Sequence, residues 1–368
     1  MDKNDITILC SVVDNYGDIG VSYRLIRHLL EFSPSLKIRL VIDNLKSFSL
    51  LNPHVDEKLP FQRVDGFEIY DWKNYQLCYK AFTDRPPHII LECFQCGQPD
   101  WLEKILFEDR VCHIVQIIMI DYLSAEPWVD DFHCLKSLTR TALVPKVNFM
   151  PGFTSKTGGL LFNKESKYYR TNNEASPKST DIKKVLFFAY ENDWNPAVRA
   201  MNRVFNSETK VLVAGGAGQS SIMKACETQH AVFKSERMPY ISQIEWDLLM
   251  CSTDFMIIRG EDSMAQACQT GIPFIWQAYP QQNDYQTVKM NALLDRMRPH
   301  FGEEFSIVEK AWHPVNNGDG DMEEGIYNFI LNIDSLRSGF TSFAKSLYAN
   351  GDLAYNLVTF ILKSVKID

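Results

Sequence analysis

No apolar run in this 368-residue sequence approaches the roughly 20 residues needed to cross a bilayer, which argues against a membrane-spanning protein. Positive charge is also short: 38 Lys and Arg against 46 Asp and Glu leave a net charge of -8, which repels phosphate backbones and excludes a general nucleic-acid binder. The nine cysteines are odd in number and scattered through apolar segments such as Ile8-Leu9-Cys10 and Leu249-Met250-Cys251, so a disulfide framework is not expected. The charged start Met1-Asp2-Lys3-Asn4-Asp5 runs directly into strand-like sequence, so secretion is not expected. These absences point to a cytoplasmic protein with no membrane and no nucleic-acid partner.

Other signatures are incomplete. Cys93-Phe94-Gln95-Cys96 is a CxxC without a second pair and reads as two half-buried thiols rather than a zinc or redox site. Val211-Leu212-Val213-Ala214-Gly215-Gly216-Ala217-Gly218 is a strand followed by glycines, but it is not the GxGxxG of dinucleotide binders. Asp319-Gly320-Asp321 has the form of a metal-binding DxD, yet no apolar strand precedes it, and it reads as a solvated turn. No metal and no cofactor are expected.

What is present is enough apolar sequence for two cores: 45% of the residues are hydrophobic and 12% aromatic, and a single core stops growing near roughly 250 to 300 residues. Strand-like runs at Ile6–Val13, Ile38–Ile42, His88–Leu91 and Cys112–Ile118 alternate with helix-length intervals, the pattern of an α/β parallel sheet. The helical face Val21, Leu25, Leu29 and Leu30 follows the first of them. Periodicity then stops in a polar stretch holding Asn172-Asn173 and Ser176-Pro177-Lys178-Ser179, and restarts at Val185–Tyr190. Strands at Val211–Ala214, Phe255–Ile258 and Ile272–Trp276 follow. The expected division is an N-terminal domain over 1–155, a linker over 156–180, a second α/β domain over 181–345, and a helical segment over 346–368 that can pack back on the first domain. Two Rossmann-like domains facing each other leave an interdomain cleft, a common ligand site.

Two segments carry candidate chemistry. Asp14-Asn15-Tyr16-Gly17-Asp18-Ile19-Gly20 joins the first strand to the first helix, where open α/β sheets bind ligands. Asp18 is either a general base presented on a glycine-flanked loop or a helix cap beside an Asp14 turn; the residues alone leave both open. Arg259-Gly260-Glu261-Asp262-Ser263 also links a strand to a helix, so Ser263 and the backbone N–H groups are placed to hold a diphosphate. The same acidic pair is equally a favourable partner for a helix dipole.

These segments, with Cys10–Val21, Pro151-Gly152-Phe153-Thr154, Thr157-Gly158-Gly159-Leu160-Leu161, Phe188-Ala189-Tyr190-Glu191 and Pro239-Tyr240-Ile241-Ser242-Gln243, resemble the arginine rhamnosyltransferases that modify bacterial translation elongation factor P. The resemblance covers most of the chain. It implies a metal-independent, inverting glycosyltransferase of the GT-B architecture, with dTDP-β-L-rhamnose as donor and elongation factor P as acceptor. It also implies that the first domain serves the acceptor and the second binds the nucleotide sugar. Asp18 is then the general base, Asp14 its supporting carboxylate, and Glu261 an essential residue at the donor. Phe188, Tyr190, Tyr240, Gln243, Asp262 and Ser263 become donor contacts, the aromatics holding the thymine, with Tyr16, Gly17, Arg259, Gly260 and Tyr279 beside them. The family usually has phenylalanine where Tyr240 stands. A GT-B glycosyltransferase or nucleotide-sugar epimerase acting on a small molecule, and a non-catalytic nucleotide-binding protein, are the competing readings.

Overall fold

A computed structural model of the chain describes residues 4–12, 17–109, 111–163 and 182–364. Asp14 and Tyr16, and most of the expected linker, lie outside the described residues. The chain forms two compact units, the first from Met1–Leu161 with Asn350–Asp368, the second from Phe162–Ala349.

In unit 1 the strands β1 (Asp5–Cys10), β2 (Lys37–Ile42), β3 (Phe61–Val64), β4 (Phe67–Asp71), β5 (Ile89–Cys93), β6 (Gln116–Ile120), β7 (Lys136–Ser137) and β8 (Lys146–Asn148) form one sheet, ordered β3-β4-β2-β1-β5-β6-β8-β7. Its inner pairings are parallel, and only the edge strands β3 and β7 run antiparallel to their neighbours. Every residue of β1 and β5 is buried, which is why these strands read as continuous apolar runs rather than alternating ones. Helix α1 (Gly17–Phe32) packs Ile19, Tyr23, Ile26 and Leu29 against one face of the sheet. The opposite face, with Leu9, Val41, Ile90 and Ile117, is covered by Cys78 and Phe82 of α3 (Tyr75–Asp84), which follows α2 (Leu45–Leu51), and by Trp101 and Leu102 of α4 (Asp100–Glu103).

The run expected as a strand from Cys112 begins pairing only at Gln116. The register sets Gln116 against Ile89, the first residue of β5, so Cys112, His113 and Ile114 have no strand beside them. Short helix α5 (Trp128–Phe132) precedes β7 and β8.

Unit 2 holds a second sheet, all parallel, from β9 (Lys184–Phe187), β10 (Lys210–Val213), β11 (Lys234–Arg237), β12 (Phe255–Arg259) and β13 (Phe274–Gln277), ordered β11-β10-β9-β12-β13. Helices α6 (Asn195–Asn202), α7 (Gln219–Thr228), α8 (Gln243–Cys251) and α9 (Glu261–Thr270) connect these strands in turn. Four more follow: α10 (Tyr285–Met297), α11 (Phe305–Asn316), α12 (Met322–Leu331) and α13 (Ile333–Tyr348). Asp321 of the DxD-like turn caps α12, its side chain accepting from Glu324 N at 3.1 Å.

The last helix, α14 (Leu353–Ser364), belongs to unit 1, where Leu353, Ala354, Leu357 and Ile361 join the core beneath α1. The glycine-rich segment after Pro151 anchors this return. Leu353 N donates to Leu160 O at 2.8 Å, Asn356 Nδ2 to Gly158 O at 3.0 Å and Asn350 Nδ2 to Phe153 O at 2.9 Å. Gly159 has φ +84°, and a Cβ there would lie 2.3 Å from Gly351 O, so no other residue fits.

Candidate active site

Parallel sheets bind ligands beyond the carboxyl ends of their strands. In unit 1, Asp18 stands there, in the first turn of α1 just after β1, and is 2% exposed. Gly17 opens the same helix. The segment leaving β1 is clamped by Asp43 at the end of β2, whose Oδ2 accepts from Ser11 Oγ at 2.7 Å and Oδ1 from Val12 N at 2.9 Å. Thiols crowd the site. Burial pushes Cys10 well above the usual thiol range, with Cys93 and the charge of Asp18 adding to it. Burial likewise pushes Cys93 up to about 12, Glu92 and Asp18 contributing. These thiols stay protonated and are not nucleophiles. Of the CxxC pair, Cys93 is fully buried rather than half-buried and Cys96 is partly exposed; all nine cysteines are free.

In unit 2, β12 ends at Arg259, and Gly260, at φ +74°, turns the chain into α9. Only glycine adopts that angle without strain. Trp276 Nε1 donates to Gly260 O at 3.1 Å and steadies the turn. The Arg259 guanidinium carbon lies 4.5 Å from the Phe188 ring centroid and 4.4 Å from that of Tyr190. Those two residues leave β9 on fixed backbone: Phe188 N donates to Ile257 O at 2.8 Å and Tyr190 N to Gln277 Oε1 at 2.7 Å. Trp246 meets Phe188 edge-on at 4.9 Å, and Tyr279 meets Tyr190 edge-on at 5.3 Å. Among the described residues, the buried Arg259 Nε has no hydrogen-bond partner. A cation packed against two rings, one N–H still unsatisfied, is suited to an anionic group.

Beside this stack, α9 begins Glu261-Asp262-Ser263, with Ser263 9% exposed. Glu261 Oε1 is 3.0 Å from Lys289 Nζ of α10. Gln243 opens α8 and is 5% exposed, whereas Tyr240 just before that helix is 54% exposed. The structure thus gathers Phe188, Tyr190, Arg259, Gly260 and Tyr279 into one contact group, next to the helix start that carries Glu261, Asp262 and Ser263. Sequence reasoning missed Asp43, Trp246, Gln277 and Lys289. Each supports a motif residue from elsewhere in the chain, and no local pattern marks such a partner. Among the described residues, no group of three or more His, Cys, Asp or Glu is placed to hold a metal ion, and no helix is long and apolar enough to cross a membrane.

Two parallel α/β units with strand-to-helix sites of this kind make up the GT-B glycosyltransferase fold. A UGT transferase from Siraitia grosvenorii in complex with UDP shares it at a TM-score of 0.56 and 11% identity, over 98% of this chain and 100% of that one. A structure described as the basis for EarP-mediated arginine glycosylation of translation elongation factor EF-P matches with a TM-score of 0.63 and 21% identity, over 98% of this chain and 99% of that one. The chain belongs to the Elongation-Factor P (EF-P) rhamnosyltransferase EarP family of protein-arginine rhamnosyltransferases, whose family model matches residues 6–362. Curated relatives agree. The protein-arginine rhamnosyltransferase of Pseudomonas putida is 30% identical, over 97% of this chain and 98% of its own, and that of Shewanella oneidensis 29% identical, over 97% of each.

Proposed function

We propose that this enzyme transfers L-rhamnose from dTDP-β-L-rhamnose to an arginine side chain of elongation factor P, with inversion, giving α-rhamnosyl arginine. The observation that carries the reading is the Phe188–Arg259–Tyr190 stack at the start of α9, an aromatic and cationic arrangement fit for a nucleoside diphosphate. In this assignment the thymine lies against the aromatic side chains, including Tyr240. The diphosphate takes the N–H groups at the α9 N-terminus, the Ser263 hydroxyl and the Arg259 guanidinium. Gln243 and Asp262 hold polar groups of the nucleotide, Tyr279 borders the sugar, and Glu261, oriented by Lys289, faces its hydroxyls.

Arginine is a poor nucleophile because its guanidinium remains protonated and delocalised in water. Asp18, with Asp14 in support and Tyr16 and Gly17 beside it, binds the fork of N–H donors and accepts one proton as the nitrogen attacks the anomeric carbon. The carbon–oxygen bond to dTDP breaks on the opposite face, and the electron pair leaves with the diphosphate. One displacement inverts the anomeric centre. The charge on the departing dTDP is met by Arg259 and the helix N-terminus, donors fixed in place before the reaction, and in this proposal no metal ion is required.

Incubating the enzyme with dTDP-rhamnose and purified elongation factor P should add one deoxyhexose to the acceptor in its intact mass, on an arginine located by peptide mapping. Donor consumption without a mass gain would instead favour a small-molecule acceptor. Binding with no consumption would leave only a nucleotide-binding protein.

A further inference from the structure

At the sheet edge that carries Asp18, a second built feature is left unused by this reaction. Phe94 and Gln95 follow β5 with φ of 56° and 54°, two successive non-glycine residues in the left-handed region. L residues enter that region rarely and seldom in succession, and such strain persists only where the surroundings hold it. Here they do. Phe94 N donates to Ile120 O at 2.7 Å, at the end of β6. Gln95 Nε2 donates to Asp121 Oδ2 at 2.8 Å, and Asp121 Oδ1 accepts from Tyr122 N at 2.8 Å, the carboxylate itself being 7% exposed. The two loops so joined stack Phe94 on Tyr122, with ring centroids 4.8 Å apart and planes at 29°.

The placement argues for use. Leu9 pairs with Glu92, so Cys10 and Cys93 end β1 and β5 side by side, and both thiols feel the charge of Asp18. Phe94 is the next residue, packed against the core beneath α1, while Tyr122 is 40% exposed. An aromatic ring backed by a second ring and pinned from two strands is a rigid flat surface. A guanidinium is planar and weakly hydrated; it stacks on such a surface while its N–H edges stay free for a carboxylate. The chain already packs Arg259 this way.

We infer that Tyr122, backed by Phe94 and aligned by Gln95 and Asp121, is the platform on which the acceptor arginine stacks, the ring taking the face of the guanidinium and Asp18 its edge. The inference rests on the acceptor assigned under Proposed function.

The test measures, by calorimetry with dTDP present, binding of elongation factor P and of a form whose modified arginine is replaced by alanine. The enzymes compared are the wild type, Tyr122→Ala, Tyr122→Leu and Tyr122→Phe. Tyr122→Ala and Tyr122→Leu should each weaken the arginine form by about 3- to 30-fold and leave the alanine form unchanged, and Tyr122→Phe should match the wild type. Equal losses for both acceptor forms, no loss, or full rescue by leucine would overturn the platform. Wild-type affinity for dTDP-rhamnose in each variant establishes that the fold is intact. If the wild-type enzyme adds no sugar to elongation factor P, it is the acceptor assignment that fails, and the platform with it.

Discussion

The two units hold their candidate residues in opposite ways. In unit 1 a carboxylate, Asp18, is 2% exposed among buried thiols, and Asp43 clamps Ser11 and Val12 after β1. In unit 2 a cation, Arg259, lies between aromatic rings, and a helix N-terminus opens beside it. The proposed transfer needs this asymmetry, because a proton must be accepted on the nucleophile's side and negative charge received on the leaving group's side. Low polarity strengthens both interactions, so each unit surrounds its charged group with apolar or aromatic side chains. In the proposed transfer, then, unit 1 acts on a proton and unit 2 on an anion.

The largest expected effect tests the first half of that contrast. Asp18→Asn keeps the size of the side chain but removes the proton acceptor, and should lower kcat at least ~10²-fold while calorimetric affinity for dTDP-rhamnose stays near wild type. Turnover close to wild type would remove Asp18 from the chemistry. A loss confined to donor affinity would move it from the acceptor's side to the donor's.

Arg259→Lys breaks the second half. Lysine keeps the charge but loses the planar fork that stacks between Phe188 and Tyr190 and grips a phosphate in two places. Donor affinity should fall about 10-fold, which corresponds to ~1.4 kcal/mol, and the acceptor KM should not move. Unchanged donor affinity would mean that the ring–guanidinium stack is structural packing only.

How much of this was legible in the sequence differs between strands and their partners. β1, β2, β5, β9, β10 and β12 are interior parallel strands and β13 is an edge strand buried along its whole length, and burial gives each an apolar run that stands out. The β3–β4 hairpin escaped because Phe61, Arg63 and Glu68 alternate outward with buried neighbours over only a few residues. Its turn was nonetheless written as Asp65-Gly66, both with positive φ, the pairing that two-residue hairpins favour. β11, Lys-Ser-Glu-Arg at a sheet edge, has no apolar residue to find. In the candidate site, the motif residues are contiguous and could be read directly. Asp43, Gln277 and Lys289 could not, because their roles are set by where a neighbouring strand ends or a neighbouring helix packs, and that is a property of the tertiary arrangement.

The smallest effect concerns Tyr240, the residue on which the two halves of the proposed donor site are compared. Arg259 rests against two rings before any ligand arrives, whereas Tyr240 is 54% exposed, and the hydroxyl it carries is a group that phenylalanine lacks. A ring that is already solvated loses little on truncation except the face it offers a base, commonly worth ~1 kcal/mol or somewhat more. Tyr240→Ala should therefore weaken dTDP-rhamnose by about 5-fold in calorimetry, with kcat at saturating donor and the melting temperature unchanged. Tyr240→Phe should bind the donor as the wild type does if the ring face alone is used. A loss in Tyr240→Phe equal to that in Tyr240→Ala would assign the contribution to the hydroxyl, making Tyr240 a hydrogen-bonding residue and leaving Phe188 and Tyr190 to supply the aromatic surface of the donor site.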